Sequence, residues 1–303
     1  MSAGEGNDFD RILGDLRRIG VRRGSVLIVQ ASLRAVAPVT GDPEIVVRAL
    51  LELLGSGGTL VVPTFTSFNS TTSRAHKEKV AHMTDEERES YVDSLPIFDP
   101  FKSPSEGMGA LAEHVRTRPD AVRSTHPHTS FAAVGRWAVD LMKVHDLDCH
   151  LGRRSPVGRL YELDADTLLL GLDYAQACTM IHFAEYLAAE EQAKRGLIIE
   201  PRAYRARMSD AQALDKWVTF VDLDLDDGDF DRIGVDFEAM AGVGRGPGRG
   251  LVGSAPSKLV NSRQMVHFAK KWMLANRRPA MAQQPEAQAE AEAGIKVEAA
   301  CAA

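Results

Sequence analysis

Hydrophobic positions along the chain follow two periods, one typical of helices and one typical of buried strands. Residues 8–20 carry apolar side chains at helical spacing and end at a glycine, which predicts an opening helix. The apolar run "SVLIVQAS" at 25–32 predicts a buried strand. Asp42 and Pro43 are residue types that begin helices, and "GGTLVVPTFT" at 57–66 predicts a second strand after that helix. The order strand, helix, strand indicates a parallel βαβ unit.

The second half of the chain continues this pattern with a change in strand type. The spacing predicts helices over 108–119, 178–190 and 262–275, and a strand over 167–172. Residues 198–223 alternate in the manner of antiparallel strands. We therefore expect an α/β fold, a three-layer α/β/α sandwich. Its central sheet is expected to be mixed and largely parallel, with a small antiparallel subsidiary layer.

Composition divides the chain into one domain and a tail. Residues 67–97 are polar and contain one short predicted helix, as insertions that cover binding sites often do. Residues 279–303 are rich in Ala, Gln, Glu and Pro and are predicted to be disordered. We expect a single domain over 1–278 with an insertion around 67–97. The stretch "RGPGRG" at 245–250 is interpreted as a flexible loop.

Charge and composition exclude several classes of protein. The formal net charge is -6 and there is no dense basic stripe, so we expect no nucleic-acid partner. No apolar run approaches the length of a membrane span, and the first residues lack an apolar signal segment. We expect a cytoplasmic protein without membrane contact. The three cysteines show no metal-like pairing and are expected to be reduced thiols.

The stretch "RSTHPHTSFAAVG" at 123–135 holds two histidines around a proline. Pro127 fixes the backbone after His126, so the imidazole of His126 projects from a rigid point. An imidazole takes up a proton near neutral pH, which makes His126 a candidate general base. A hydrogen-bonded structural histidine is the alternative. His128 faces the opposite way if the segment is extended, and we interpret it as structural.

Acidic and histidine side chains recur farther along the chain. Asp173 follows a predicted strand, at the edge where ligands collect in open α/β sheets, and is a candidate catalytic group beside His126. His182 and Glu185 lie three residues apart on one helical face, and a polar pair packed on the sheet is the alternative to a functional role. Two such ligands are too few for zinc, so no metal site is expected.

Two segments are candidates for phosphate binding. Ser32 ends the first strand close to Arg34, and free backbone amides beside a guanidinium suit a diphosphate. In "FDPFKSPSEGMGAL", residues 107–109 begin a helix, and their glycines allow a ligand to approach backbone amides. A solvated loop is the alternative at the first segment. Helix capping by Ser103 or Ser105 is the alternative at the second.

Six segments in this order resemble the aminoglycoside 3-N-acetyltransferase family, acetyl-CoA enzymes whose fold differs from that of the GNAT acetyltransferases. The resemblance extends over residues 8–275. It rests on "SLRAVAPVTGDPEIVVRALLELLGSGGTLVVPTFT", "FDPFKSPSEGMGALAEHVR", "RSTHPHTSFAAVG", "SPVGRLYELDADTLLLG", "IHFAEY" and "VGSAPSKLVNSRQMVHFAKKWM".

The resemblance implies roles for individual residues. It implies that His126 removes the proton of the acceptor amine as a general base. It implies a coenzyme A site made largely of backbone amides, for which the residues are Ser32, Leu33, Arg34, Thr64, Ser103, Ser105, Gly107, Met108 and Gly109. It also implies an acceptor cleft beside the thioester of the bound acetyl-CoA. The candidates for binding the acceptor there are Asp99, Glu106, His182 and Glu185.

The chain departs from the family pattern at three places. Gln30 stands where the family usually has a histidine. The loop before His182 has one additional residue, which moves the family's acidic position near Gln176 and leaves Asp173 as the nearest replacement. The acidic run "DLDLDDGDFD" at 222–231 attracts a polycationic substrate or merely solvates a loop.

The sequence therefore predicts an acetyl-CoA-dependent N-acetyltransferase acting on an amine of an aminoglycoside antibiotic. No cysteine lies in a motif for an acetyl-enzyme, so direct attack with a histidine base is expected. One alternative is acetylation of a different small amine, such as a biosynthetic intermediate. Another is a coenzyme A binding homologue without transfer activity. A hydrolase using Ser124 or Ser130 lacks the nucleophile-elbow pattern. The expected partners are coenzyme A and the amine, with a homodimer left open.

Overall fold

A computed structural model describes residues 3–37, 42–66, 68–71, 74–176, 179–197, 201–209, 215–241 and 248–277. The strands within these ranges are β1 (Val26–Ala31), β2 (Thr59–Pro63), β3 (Val122–Arg123), β4 (Phe131–Gly135), β5 (Asp166–Leu170), β6 (Arg202–Ser209), β7 (Asp215–Asp222), β8 (Gly248–Val252) and β9 (Ala255–Asn261). The helices are α1 (Ala3–Arg18), α2 (Leu33–Val36), α3 (Pro43–Leu54), α4 (Arg74–Val80), α5 (Asp85–Asp93), α6 (Gly109–Arg116), α7 (Ala138–Met142), α8 (Pro156–Glu162), α9 (Thr179–Lys194), α10 (Phe230–Ala241) and α11 (Ser262–Asn276). The predicted tail at 279–303 lies outside the described residues.

Seven strands form the central sheet in the order β3-β4-β2-β1-β5-β9-β8. Strand β1 pairs in parallel with both β2 and β5, and the pairs β2–β4, β3–β4, β5–β9 and β8–β9 are antiparallel. The predicted mixed α/β sheet is confirmed. Parallel pairing is confined to the three central strands, however, because β4 and β9 return alongside their neighbours in the opposite direction. The sheet is therefore less parallel than the sequence predicts.

Alternate residues of the central strands pack into two separate hydrophobic cores. In β1, Val26 and Ile28 face the core beneath helices α7 to α11, while Leu27 and Val29 face the core beneath α1, α2, α3 and α6. All four side chains are at least nine-tenths buried, as expected for a strand covered on both faces. Helices cover both faces, which confirms the three layers.

Local sequence signals explain where the first elements begin and end. The side chain of Asp42 accepts a hydrogen bond from the backbone N–H of Glu44 at 2.9 Å, and Pro43 is the first residue of α3. Gly55 ends that helix with a φ of 63°, a backbone conformation that favours glycine. Residues 248–250 of the predicted "RGPGRG" loop belong to β8, which corrects that part of the prediction. The other residues of that loop, 245–247, are outside the described ranges.

The predicted subsidiary layer is the antiparallel hairpin of β6 and β7. Both ends of the insertion pair with strand β6 of this hairpin. Ser70 forms a β-bridge with Ala206, and Phe98 forms one with Met208. Between these points the insertion forms α4 and α5, and Thr84 and the backbone and side chain of Glu87 form a reciprocal cap at the start of α5. None of the helices described here has both the length and the apolar composition of a membrane span.

Candidate active site

The carboxyl ends of β1, β2 and β5 meet at one edge of the sheet, where Ala31 pairs with Leu170. Because β4 is antiparallel to β2, its first residue Phe131 reaches the same edge beside Pro63. A cleft of about 420 Å³ opens there. Its lining residues are Gln30, Ala31, Ser32, Leu33, Arg34, Pro63, Gly107, Met108, Gly109, Ala110, Leu172 and Gln176. The structure thus brings together the two segments that the sequence singles out for phosphate binding.

Helix α6 points its amino end into this cleft. Met108 is the residue before the helix, and its side chain does not accept a hydrogen bond from the backbone N–H groups of the first turn. Gly107 and Gly109 have φ values of 70° and 83°. A Cβ on Gly109 would stand 3.2 Å from the carbonyl oxygen of Ala31. Glycine therefore lets the start of α6 approach the end of β1 closely.

Three residues predicted to bind coenzyme do not line the cleft. The hydroxyl of Thr64 is fully buried and lies 3.2 Å from that of Ser130. Ser105 donates to Glu113 at 2.8 Å, and Ser103 accepts a hydrogen bond from the backbone of Asp99 at 2.9 Å. These hydroxyl groups bond within the protein, so the structure does not bring them to the cleft surface.

A half-buried guanidinium, that of Arg123, holds this wall of the site together. Arg123 donates to the carbonyl and the hydroxyl of Thr64 at 2.8 and 3.2 Å, to the hydroxyl of Ser130 at 3.1 Å, and to the carbonyl of Ser103. Burial lowers the pKa of Arg123 to about 10, which leaves it charged at neutral pH. The side chain therefore ties the end of β2 to the segment before α6.

His126 is fully buried, and both of its ring nitrogens are bonded. Nδ1 accepts from the backbone N–H groups of His128 and Thr129 at 3.1 and 3.2 Å, so the proton of the neutral ring is on Nε2, which donates to the carbonyl of Leu147 at 3.1 Å. In this arrangement His126 has no lone pair free for a substrate proton. The geometry favours a structural role, and the catalytic role that the sequence assigns to His126 stays a prediction.

His126 belongs to a buried cluster of four imidazoles. Its ring centroid lies 4.6 Å from that of His145, 4.7 Å from that of His150 and 5.9 Å from that of His128. Burial lowers the pKa of His126 well below its usual range, and it lowers the pKa values of His128 and His145 to about 3. Within the described ranges, no group of three or more His, Cys, Asp or Glu side chains is arranged to hold a metal ion.

A single carboxylate anchors this cluster. One oxygen of Asp222 accepts hydrogen bonds from the backbone N–H and the Nδ1 of His150, at 2.6 and 2.7 Å, and from the hydroxyl of Tyr186 at 2.6 Å. Burial alone would raise the pKa of Asp222, but the bonds from His150 and Tyr186 hold that pKa below its usual value. This network could not be predicted from the sequence, because its members lie 36 or more residues apart and share no motif.

The other predicted acidic residues have different surroundings. The side chain of Asp173 is 67% exposed and pairs with Lys258 at 2.6 Å, and none of the hydrogen bonds of His126 involves it. The carboxylate of Asp99 accepts from the backbone of Phe101 at 2.8 Å and caps a turn. The backbone N–H of Glu106 donates to the carbonyl of Phe65 at 2.8 Å. The structure does not bring Asp173, the second candidate catalytic group, into contact with His126.

His182 and Glu185 form the one predicted pair whose geometry suits proton transfer. Nδ1 of His182 lies 2.6 Å from Oε2 of Glu185, and the two side chains are 21% and 7% exposed. Glu185 is held in turn by Arg277 at 2.5 Å and by the backbone N–H of Asp226 at 3.0 Å. The carboxylate fixes the imidazole as the Nδ1–H tautomer. Nε2 of His182 then carries a lone pair to which no described residue donates.

The helix that carries this pair begins at the cleft. Oε1 of Gln30 accepts a hydrogen bond from the backbone N–H of Thr179, the first residue of α9, at 3.1 Å. His182 lies three residues farther on, on the same helical face. The acidic run borders the pair from the other side, where Asp226 bonds to Glu185 and Asp229 shares Arg277 with it. Asp224, Asp226 and Asp227 are exposed.

Comparisons with known proteins match most of the chain. A model of the family described as aminoglycoside 3-N-acetyltransferase matches residues 28–274. The chain is 34% identical over 277 residues to aminoglycoside N(3)-acetyltransferase VII of Streptomyces paromomycinus, covering 87% of this chain and 90% of that protein. A structure of AAC-IIIb with CoASH matches with a TM-score of 0.71 at 26% identity, over 90% of this chain and 97% of that one. A structure of AAC-VIa bound to sisomicin matches with a TM-score of 0.70 at 29% identity, over 88% of this chain and 97% of that one.

The fold, the cleft at the carboxyl edge of the parallel strands and these matches define the protein as an acyltransferase. The family match spans the sheet from β1 to α11. The chain belongs to the aminoglycoside 3-N-acetyltransferase family.

Proposed function

We propose that the protein transfers the acetyl group of acetyl-CoA to an amine of an aminoglycoside by direct attack of the amine on the thioester. The observation that carries this proposal is the hydrogen-bonded pair of His182 and Glu185. The pair lies one helical turn after Thr179, whose backbone N–H bonds to the cleft-lining residue Gln30. Structures of similar proteins with CoASH and with sisomicin support the choice of both substrates.

The cleft suits the phosphate groups of the coenzyme. The amino end of α6 presents backbone N–H groups and the positive end of the helix dipole, and Arg34 adds a guanidinium; both bind phosphate. Gly107 and Gly109 allow the ligand to approach the backbone. We therefore assign the coenzyme to the surface formed by 32–34 and 107–109. Thr64, Ser103 and Ser105 support this surface from behind.

His182 is assigned the role of general base. Its Nε2 takes the proton of the attacking amine while the amine nitrogen forms a bond to the thioester carbon. The carbon–sulfur bond then breaks, and the coenzyme leaves as a thiolate that recovers the proton from the imidazolium. Glu185 holds the ring in the required tautomer and faces the positive charge that develops on it. This assignment replaces His126, whose ring nitrogens are both bonded within the core.

The acceptor is assigned to the acidic side of His182. Asp224, Asp226 and Asp227 are exposed carboxylates on the segment that bonds to Glu185. An aminoglycoside carries several ammonium groups, which a cluster of carboxylates attracts more strongly than it attracts a monoamine. Binding an ammonium alone does not make it a nucleophile, so a base beside the acidic surface is required.

A pair of histidine variants tests the base. We expect His182→Gln to lower kcat by about a hundred-fold or more, since general-base catalysis typically contributes about 10² to 10⁴ in rate. The dissociation constant of coenzyme A, measured by calorimetry, should change little. His126→Asn is the comparison variant, for which both kcat and the midpoint of urea unfolding are measured. Full turnover in His182→Gln, or a folded His126→Asn protein that binds coenzyme A and has lost all turnover, contradicts the assignment to His182.

An acceptor panel tests the substrate class. Thiol release from acetyl-CoA is measured with aminoglycosides, with di- and triamines, and with monoamines of similar size. We expect the lowest KM for the aminoglycosides, and an increase of that KM in Asp227→Asn and at higher ionic strength. Thiol release with monoamines alone favours a different small amine as substrate. Coenzyme A binding without thiol release for any amine favours a homologue without transfer activity.

A further inference from the structure

Gln30 is the one cleft-lining side chain, among the described residues, that also bonds to the helix carrying His182. It is the fifth residue of β1 and pairs with Leu169 of β5, so its backbone is fixed by the central parallel strands. Its Oε1 accepts the backbone N–H of Thr179 at 3.1 Å. Because an N–H group can bond only to the oxygen of a side-chain amide, this contact fixes which way the amide faces.

The fixed oxygen leaves the amide nitrogen as a free donor. No described residue accepts a hydrogen bond from Nε2 of Gln30. Gln176, the other amide in the cleft lining, bonds through its oxygen to the backbone N–H of Asp173 in its own exposed loop. Gln30 therefore differs from Gln176 in lying between the coenzyme surface and α9. The bonded oxygen and the paired β strand together hold the amide N–H of Gln30 in one position. A donor that is fixed before the reaction can stabilise charge that develops during it.

We propose that Nε2 of Gln30 donates a hydrogen bond to the carbonyl oxygen of the acetyl thioester and stabilises the negative charge that forms there. The proposal rests on the transfer reaction proposed above. When the amine nitrogen attacks, the carbonyl electron pair moves onto oxygen, and the Gln30 amide compensates this charge. When the pair returns to carbon, the thiolate leaves, and the proton held by His182 passes to its sulfur.

Two substitutions remove this donor in different ways. Gln30→Glu keeps an oxygen for the N–H of Thr179 and nearly the same volume, but has no N–H to donate at neutral pH. Gln30→Met keeps the length without the donor and without a new charge. The loss of one oxyanion donor typically costs about 10² to 10³ in kcat. We expect that loss in both variants, with the dissociation constant of coenzyme A within about threefold of wild type.

Gln30→His and Gln264→Glu serve as the matched variants. A histidine ring offers an N–H donor at the same position. We therefore expect kcat of Gln30→His to be at least tenfold higher than kcat of Gln30→Glu and Gln30→Met. Gln264 is exposed in the first turn of α11, beside the end of β9 that pairs with the first residue of β5, at the opposite edge of the sheet. Gln264→Glu should leave kcat unchanged. Near-wild-type kcat in both Gln30→Glu and Gln30→Met, or a parallel loss of coenzyme A affinity, overturns the proposal.

An infrared measurement tests the contact without any acceptor. Acetyl-CoA labelled with ¹³C at the thioester carbonyl is bound to wild type and to each variant, and the carbonyl band is read by isotope-edited difference spectroscopy. We expect a shift to lower wavenumber in wild type that is lost in Gln30→Glu and Gln30→Met. An identical band in wild type and both variants overturns the assignment of Gln30. A shifted band with no thiol release for any amine overturns the transfer function instead, and leaves the Gln30 contact standing.

Discussion

His126 and His182 have the same side chain and opposite chemical surroundings. The ring of His126 is packed among three other imidazoles, and its two nitrogens bond to backbone groups. The ring of His182 bonds to Glu185 through one nitrogen and is partly exposed. A proton acceptor needs a lone pair that the protein itself does not use. The local sequence cannot show this difference, because the second nitrogen of His126 bonds to Leu147, 21 residues away, and tertiary packing buries the ring.

Glu185→Gln tests the role of the carboxylate at the residue scale. A glutamine amide can turn its N–H toward Nδ1 of His182, which moves the ring proton to Nε2 and removes the lone pair facing the acceptor. We expect kcat to fall by about a hundred-fold or more, with little change in coenzyme A affinity. Steady-state kinetics and calorimetry measure the two quantities. Glu191→Gln, on the same helix, is the control; equal losses in both variants count against the tautomer argument.

Arg123→Lys is expected to destabilise the fold. Lysine has three donors on one nitrogen and cannot reach the acceptors that the guanidinium spans on Thr64, Ser103 and Ser130. The Ser130 hydroxyl still donates to the Thr64 carbonyl in this variant, but the Ser103 carbonyl loses its donor. An acceptor left without a donor costs roughly 1–3 kcal/mol, so we expect a loss of about 2 kcal/mol in the free energy of unfolding, measured in urea. Arg118→Lys, at an exposed pair with Asp120, should leave the midpoint unchanged. An Arg123→Lys protein as stable as wild type shows that the hydrogen bonds of the guanidinium are not needed for the stability of the fold.

At the scale of elements, α6 and β1 together form one wall of the cleft to which coenzyme A is assigned. Their approach depends on Gly109, whose added Cβ would meet the carbonyl of Ala31 at 3.2 Å. The sequence predicts both the helix and its glycines. Only the order of the strands places the start of α6 against the end of β1, since the two elements lie about 80 residues apart in the chain.

Gly109→Ala is expected to weaken coenzyme A binding more than Gly107→Ala does. Both positions have positive φ, so both variants carry the backbone strain of about 1–2 kcal/mol that an L-residue meets there. A Cβ on Gly107 has no atom within 4 Å, whereas one on Gly109 stands 3.2 Å from the carbonyl oxygen of Ala31, so α6 or β1 must shift by a few tenths of an ångström. Calorimetric dissociation constants for coenzyme A measure the difference. Equal affinities in the two variants mean that the close approach at Gly109 is unimportant for binding.

Long elements with clear periodicity were predictable, and short ones were not. Helices α3, α6, α9 and α11 and strands β1, β2 and β5 lie where the apolar spacing places them. Strand β4 was missed because "FAAVG" is a short run of small residues with no alternation. Strands β8 and β9 were missed because their glycines and prolines are typical of loops. Pairing with β5 and β2 makes strands of these segments, and local propensity does not reveal such pairing.

At the scale of the whole molecule, the histidine cluster connects the main sheet to the small hairpin. His126 and His128 precede β4, His150 follows α7, and Asp222 ends β7. Phe220 of the hairpin packs its ring 5.5 Å from those of His126 and His150. The acidic segment begins directly after Asp222. The cluster therefore joins the segment before β4 to the hairpin and to the start of the acidic segment.

The cluster makes the stability of the fold depend on pH. The folded pKa values of His126, His128 and His145 are below the unfolded value of about 6.5, so the unfolded chain binds more protons in acid. Stability is fully present above about pH 6.5 and falls as the pH drops toward the folded values. Each histidine contributes up to about 1.4 kcal/mol per pH unit to this slope, so the three together contribute up to about 4 kcal/mol per pH unit. Urea unfolding between pH 7.5 and 5 measures this slope.

Two variants separate this cause from general acid sensitivity. His145→Asn keeps a polar side chain near Ser124 and removes one buried imidazole, so the slope should decrease by about one third. His82→Asn removes an exposed histidine and should leave the slope unchanged. A free energy of unfolding that is constant from pH 7 to 5, or an equal slope in His145→Asn, shows that the imidazoles are not the cause.

The sequence by itself determined the α/β class, the main helices and strands, the family and the two segments that line the cleft. These features depend on local periodicity, on capping residues and on glycines, which are properties of neighbouring residues. The tertiary structure alone decided that Leu147 occupies the second nitrogen of His126 and that the Gln30 amide oxygen faces Thr179. Each of these depends on hydrogen-bond partners brought together by strand order, and the contacts between such distant segments leave no local pattern in the chain.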